Sequence, residues 1–168
     1  SMPLKMKVTG GNWSLASNAI HFIDLLSWFT NSNVKNVLTQ NLEFWNDSTR
    51  MGFKEVFGSL EVQYSNSSSL TLECNNDNKP LNILLESAQD TWQINESEGI
   101  AIGPDGEVIN GETVYQSKLT APLVNQIFSQ GSCSLPTLQE SSLLHKELIN
   151  ALLNHWNLSK GLNDEIIT

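Results

Sequence analysis

Positive charge is the scarcest feature of this 168-residue sequence, since nine Lys and Arg face 18 Asp and Glu and give a formal net charge of −9. Arg50 is the only arginine. A nucleic-acid-binding protein needs a basic surface that neutralises phosphates, and an anionic membrane attracts basic segments. Nucleic acid and membrane are therefore disfavoured as partners.

Long apolar runs are also missing, because the longest, around residues 19–29, contains His21 and Asp24 and is too short to cross a bilayer. No positively charged segment precedes an apolar stretch, so we expect no signal peptide and a cytoplasmic protein. Cys74 and Cys133 lack the spacing of metal ligands, so no metal site is expected and both are predicted to be free thiols. Five Asn-x-Ser triplets leave a secreted glycoprotein as a weaker alternative; they begin at Asn12, Asn46, Asn66, Asn95 and Asn157.

What the sequence does contain is a series of short alternating segments. Apolar residues make up 39% and charged residues 16% of the chain, so a single domain over residues 1–168 can bury a core. Between residues 34 and 110 the segments follow one another with turn-like breaks and without helical patterns, which indicates antiparallel pairing. Residues 53–65 hold one or two strands, and Pro-Asp-Gly within residues 99–110 predicts a hairpin.

Helical patterns flank this series. The first helix is predicted to be capped by Ser17 or Asn18 and to end near Phe29. Two more are predicted over residues 117–131 and 135–156, the latter with a capping box, T-x-x-E, from Thr137 to Glu140. The fold class is therefore α+β: an open, mostly antiparallel or mixed sheet with helices packed on one face. The other face is available for oligomerisation.

Chemistry concentrates on the first helix, where Ser17, His21 and Asp24 are spaced to share one face. One interpretation is a histidine positioned for proton transfer and oriented by a carboxylate. The alternative is a core histidine that hydrogen-bonds its neighbour. Arg50, in a predicted loop, either binds a carboxylate or phosphate of a substrate or is an ordinary surface residue. His155 is expected near a helix end, where the helix dipole favours a cation.

No glycine-rich phosphate loop follows a strand, and Gly10-Gly11 does not fit G-x-G-x-x-G. Three segments nevertheless resemble the C-terminal domain of the glucose–fructose oxidoreductase/inositol dehydrogenase/MocA family, especially members that act on sugars in surface-polysaccharide clusters. They are GGNWSLASNAIHFIDLLSWFT, STRMGFKEVFGSL and LPTLQESSLLHKELINALLNHW. The resemblance extends from about Pro3 to Trp156, and its most specific part is the helix with H-x-x-D.

This resemblance implies an oxidoreductase that uses NAD or NADP, bound by an N-terminal Rossmann domain that this chain lacks. The resembling domain builds the pocket for a sugar or nucleotide-sugar and forms a homodimer or tetramer through its sheet. His21 matches the histidine that relays a proton at the substrate hydroxyl, and Asp24 matches an orienting carboxylate. The aspartate expected four positions before His21 is replaced by Ser17, which cannot accept a proton as a carboxylate does.

Further substrate contacts are expected from Asn12 and Trp13 at the mouth of the sugar site, and from Asn18 and Arg50. The isolated chain is expected to be inactive and to bind no nicotinamide cofactor tightly, since hydride chemistry needs the cofactor that the other domain positions. A different class of function also remains open. The chain could be a stand-alone, non-catalytic ligand-binding or scaffold protein that reuses this fold.

Overall fold

A computed structural model describes residues 2–112, 114 and 116–166. The helices and strands of this described part, in chain order, are β1 (Lys5–Gly11), α1 (Leu15–Thr30), β2 (Val34–Asp47), β3 (Lys54–Tyr64), β4 (Ser69–Asn75), β5 (Asn82–Glu86), β6 (Thr91–Asn95), β7 (Ile100–Ile102), β8 (Val108–Asn110), α2 (Gln116–Gln130) and α3 (Leu138–Lys160).

The described strands form one sheet in the order β2-β3-β4-β1-β5-β6-β7-β8. Strand β1 pairs in parallel with β4, and the other described pairings are antiparallel. The parallel pair arises because α1 carries the chain from central β1 to edge strand β2, after which two antiparallel strands return beside β1. The predicted open, mixed and mostly antiparallel sheet is confirmed.

One face of this sheet is covered by helices. Helix α1 packs on β3 and β4, and α3 packs on β2 and on α1. Between them lies the core, where Val8, Leu26 and Leu72 are fully buried. On the opposite face, Lys7 and Glu73 form an ion pair with 2.8 Å between Nζ and Oε1. The expected packing of helices on one face is therefore confirmed.

The start of α1 differs from the prediction. Ser14 occupies the N-cap position in a left-handed conformation, with φ of 60°, and its side chain makes no capping hydrogen bond. The expectation that Ser17 or Asn18 caps this helix is therefore wrong. The cap comes from strand β3 instead, because the Glu55 carboxylate accepts a hydrogen bond of 3.0 Å from the backbone N–H of Ala16. A residue distant in the sequence, Glu55, therefore caps this helix in place of a residue at its own start.

Other predicted elements are reproduced closely. Residues 53–65 contain one strand, β3, and β7 and β8 form the predicted hairpin. Thr137 and Glu140 form the capping box of α3, and the hydrogen bonds from the Thr137 backbone and side chain lower the pKa of the Glu140 carboxyl. Cys74 and Cys133 are free thiols, and burial raises the pKa of the Cys74 thiol.

His155 lies half-buried on α3. The expectation that its imidazole is a cation favoured by the helix dipole is wrong. Its Nδ1 accepts a hydrogen bond of 3.0 Å from the indole N–H of Trp45, which requires the neutral ring with its proton on Nε2. Burial lowers the pKa of His155 from its ordinary value of 6.5, and the Leu42 backbone carbonyl acts more weakly in the opposite direction. Packing against Trp45 therefore outweighs the helix dipole.

This environment predicts a loss of stability in mild acid. Below pH 6.5, the unfolded chain binds a proton at His155 more readily than the folded chain does, so the free energy of unfolding falls as pH decreases. Urea denaturation between about pH 5.5 and 8 measures this slope. We expect His155→Gln to flatten it and His145→Gln, at an exposed position, to leave it unchanged. If the free energy of unfolding depended on pH equally in His155→Gln and in the parent, His155 would not be the cause of the loss of stability.

Candidate functional site

The turn between β1 and α1 is built by close backbone approach. A Cβ on Gly11 would lie 2.1 Å from the carbonyl oxygen of Asp77, so only glycine fits there. Asn12 follows in a left-handed conformation, and its side-chain N–H donates to the same carbonyl at 2.7 Å. The side-chain amide of Asn12 thus holds the loop before β5 in place.

Trp13 forms a fixed wall beside this turn. Its indole N–H donates to the backbone carbonyl of Glu73 at 2.8 Å, and its ring meets Phe22 edge to face with 5.6 Å between ring centroids. These two contacts come from β4 and from α1, so the ring is held from both sides. An aromatic ring anchored in this way presents a preorganised surface to a ligand.

A cleft of about 540 Å³ lies against this wall. Helix α1 supplies one side of it, and the segments that precede β5 and follow β6 supply the rest. The cleft is lined by Trp13, Asn18, His21, Phe22, Leu25, Leu81 and Glu96. Its composition of aromatic and apolar walls with a few polar groups is typical of small-molecule sites. Trp13, Asn18 and His21, three of the predicted site residues, meet here.

Asn18 and His21, the two polar side chains that α1 contributes to the cleft, differ in how firmly their orientation is fixed. Asn18 donates one amide hydrogen to the Trp13 carbonyl at 2.7 Å, which fixes the orientation of its side chain. His21 is exposed on α1 one turn after Ser17. Its imidazole can therefore both donate and accept hydrogen bonds toward a molecule in the cleft.

The other predicted site residues lie elsewhere, although Ser17, His21 and Asp24 share a helix. Ser17 lines a separate cavity of about 180 Å³, together with His145 and apolar residues of α3. Its hydroxyl donates to the carboxylate of Glu55. Helical spacing alone thus does not bring Ser17 into the cleft with His21.

Asp24 lines a third concavity, of about 390 Å³, near the end of α1. It is close to Tyr64, whose pKa is raised chiefly by burial and further by the negative charge of Asp24. Among the described residues, His21 and Asp24 form no hydrogen bond with each other. Arg50 stacks over Phe53, with 4.1 Å from Cζ to the ring centroid, and does not line the cleft.

Four residues of the cleft were not predicted from the sequence. Phe22, Leu25 and Leu81 supply apolar wall, and Glu96 supplies the only carboxylate among the described residues of the lining. Glu96 directly follows strand β6, far from α1 in the chain. No local pattern marks it, because its place beside His21 depends on the order of strands β1, β5 and β6 in the sheet.

A phosphate site for a dinucleotide does not fit the start of α1. Helix N-termini bind phosphates through free N–H groups of the first turn. Here the Ala16 N–H is already bound to the buried Glu55 carboxylate, and that negative charge would repel a phosphate. No group of three His, Cys, Asp or Glu side chains in the described residues could hold a metal ion. Within the same part of the chain, none of the helices has the length and apolarity needed to cross a membrane.

Comparison with known proteins identifies the fold. No protein-family model and no curated protein matches the sequence. Solved structures of oxidoreductases do match. UDP-N-acetylglucosamine 3-dehydrogenase from Acidithiobacillus ferrooxidans superimposes with a TM-score of 0.62 at 9% identity, over 90% of this chain and 52% of that protein. A protein described as an NADPH-dependent oxidoreductase from Desulfitobacterium hafniense gives 0.58 at 11%, over 94% and 55%.

A Gfo/Idh/MocA family oxidoreductase from Vibrio cholerae gives a TM-score of 0.51 at 11% identity, over 95% of this chain and 53% of that protein. The chain thus spans about half the length of the solved structures that it resembles. It shares the fold of the corresponding half of these solved structures. The resemblance found in the three sequence segments is confirmed at the level of the fold.

Proposed function

We propose that this chain is the substrate-binding domain of an NAD(P)-dependent oxidoreductase that acts on a sugar or nucleotide-sugar. The observation that carries the proposal is the cleft, where His21 and Asn18 face a ligand space walled by Trp13 and Phe22. Sugar rings offer hydroxyls for the polar groups and apolar C–H faces for the aromatic wall. The similarity to oxidoreductases in fold supports the same class.

In the proposed reaction, His21 accepts the proton that a substrate hydroxyl loses when its carbon is oxidised, and returns it in the reverse direction. When bound, an oxidised nicotinamide cofactor would accept the hydride from that carbon. Asn18 is oriented by its bond to the Trp13 carbonyl and can hydrogen-bond a neighbouring hydroxyl. Trp13 holds the ring of the substrate in register with His21.

The cofactor would be bound by a separate nucleotide-binding domain, since the start of α1 does not fit a phosphate. We further propose that residues 1–168 act as one domain in a cytoplasmic homodimer or tetramer. Its contact would be the sheet face opposite the helices. That face carries polar groups such as the Lys7–Glu73 pair and apolar side chains such as Leu84, so association through it would form a mixed interface.

A stand-alone binding or scaffold protein is the second candidate, and it is favoured by the formation of the whole cleft within these 168 residues. The mass of the native protein separates the two functions. An immunoblot band heavier by a Rossmann domain, about 120–150 residues, would support the enzyme. A band at the mass of 168 residues would support the binding protein.

Ligand binding in the cleft is tested with N-acetylglucosamine, followed by NMR of the tryptophan indole N–H groups. We expect the Trp13 resonance to shift on titration and Trp13→Ala to weaken binding about tenfold, as loss of an aromatic anchor commonly does. Trp28→Ala is the matched control, because Trp28 is 74% exposed and lies outside the cleft. Equal weakening by both variants, or no shift at Trp13, would contradict a sugar site here.

A further inference from the structure

A second concavity adjoins the cleft at the ends of strands β6, β7 and β8. Its volume is about 200 Å³, and its lining includes the apolar side chains of Ile94, Ala101 and Ile109. Glu96 lines both this concavity and the cleft. The two spaces are therefore contiguous, and one ligand can extend from the first into the second.

The apolar part of this lining continues the core of the protein across the sheet. Residues that are direct partners on successive strands share one face of the sheet, and one such row consists of Val8, Ile83, Ile94, Ala101 and Ile109. Val8 is fully buried, whereas Ile83 is 5% and Ile109 46% exposed. Helices α1 and α3 cover this face where they pack on β2, β3 and β4. The apolar face thus reaches solvent at Ile94, Ala101 and Ile109, which we call the apolar floor.

The apolar floor is too small for a protein partner but large enough for one ring. A specific protein interface buries about 800 Å² on each side. The floor offers three side chains, of which Ala101 is small and Ile94 is half-buried against the core. An apolar cavity of about 150 Å³ can hold benzene, so a concavity of this volume has room for a single aromatic ring.

The edge of the floor suits a flat group. Gly99 and Gly111 line it and cross closely, since the Gly111 N–H donates to the Gly99 carbonyl at 2.7 Å. A Cβ on Gly99 would lie 2.3 Å from the Gly111 carbonyl oxygen, so no side chain can rise there. Bare backbone beside Ala101 leaves space for the face of a planar ring.

We propose that the apolar floor binds an aromatic group attached to the sugar, so that the substrate is an aryl-bearing glycoside rather than a free monosaccharide. The sugar ring occupies the cleft beside Trp13 and His21, and the attached ring lies on Ile94, Ala101 and Ile109. Burial of this second ring adds affinity at a distance from the reacting hydroxyl. This inference rests on the proposed function and narrows its substrate class.

The test compares phenyl and methyl β-glycosides of N-acetylglucosamine, which carry the same sugar and differ in the attached group. Binding of each to the 168-residue chain is followed by NMR at the Trp13 indole N–H and at the backbone amides of Ala101 and Ile109. We expect the phenyl glycoside to bind at least about fivefold more tightly, because it buries more apolar surface. Both glycosides should shift Trp13, and only the phenyl glycoside should shift the two amides.

Ile109→Thr should reduce the advantage of the phenyl glycoside to less than about twofold and leave binding of the methyl glycoside unchanged. Threonine keeps the branched shape that suits a strand. Val108→Thr is the matched control, since Val108 is 54% exposed on the same strand, points to the opposite face and lies outside the lining. This variant should keep the full advantage.

The possible results separate the two proposals. Equal binding of the two glycosides, an unchanged advantage in Ile109→Thr, or a phenyl advantage without shifts at Ala101 and Ile109 would refute the aromatic site and leave the sugar cleft standing. Absence of binding by both glycosides and by N-acetylglucosamine would refute the sugar cleft and the aromatic site together. The shifts are measured on the parent chain, so they decide the matter even if a variant fails to fold.

Discussion

Replacing His21 with alanine is expected to lower kcat by about two to four orders of magnitude in a polypeptide that joins this chain to a nicotinamide-binding domain. That range is typical of the loss of a general acid or base. His21 is the only imidazole among the described residues of the cleft lining, and an imidazole is the usual group for proton transfer near neutral pH. Since the described lining contains no second imidazole that could replace His21, we expect the substitution to lower kcat.

The rate is measured from the absorbance of the reduced nicotinamide at saturating sugar substrate. His145→Ala is the matched control, because His145 is exposed on α3 and lines a different cavity. We expect this variant to keep the parent rate. A His21→Ala variant with more than about a third of the parent kcat would show that proton transfer occurs elsewhere.

Replacing Glu55 with alanine is expected to lower the free energy of unfolding by about 2 kcal/mol, since its loss leaves two partly buried hydrogen bonds without their charged acceptor. Glu55 is 8% exposed, and its carboxylate accepts hydrogen bonds from the Ala16 backbone and the Ser17 hydroxyl. Both donors belong to the first turn of α1. Loss of the carboxylate also removes the favourable interaction of a negative charge with the helix N-terminus.

The same substitution is expected to disturb the cleft, because α1 carries both Asn18 and His21. Urea denaturation gives the change in stability, and ¹H–¹⁵N spectra show whether the backbone signals of residues 15–21 move. Glu43→Ala, at an exposed position of β2, serves as the control and should change stability by less than about 0.5 kcal/mol. Similar losses in both variants would exclude a special role of Glu55.

The sequence by itself determined the fold class. Alternation between residues 34 and 110 predicted antiparallel strands, and the Thr137–Glu140 spacing predicted the start of α3. These features depend on local periodicity and on hydrogen bonds between residues three positions apart, which sequence patterns report directly. The grouping of Trp13, Asn18 and His21 was also predicted, because these three residues lie within a single turn and helix.

Only the tertiary structure determined which residues distant in the chain come close to one another. Glu55 caps α1 from strand β3, Glu96 reaches the cleft from beyond β6, and Trp45 binds His155 from β2. Each of these contacts joins residues far apart in the chain, so no local pattern reveals it. The order of the strands and the crossover through α1 set the distances between such residues. Those distances determine which partners the side chains of Glu55, Glu96 and His155 meet.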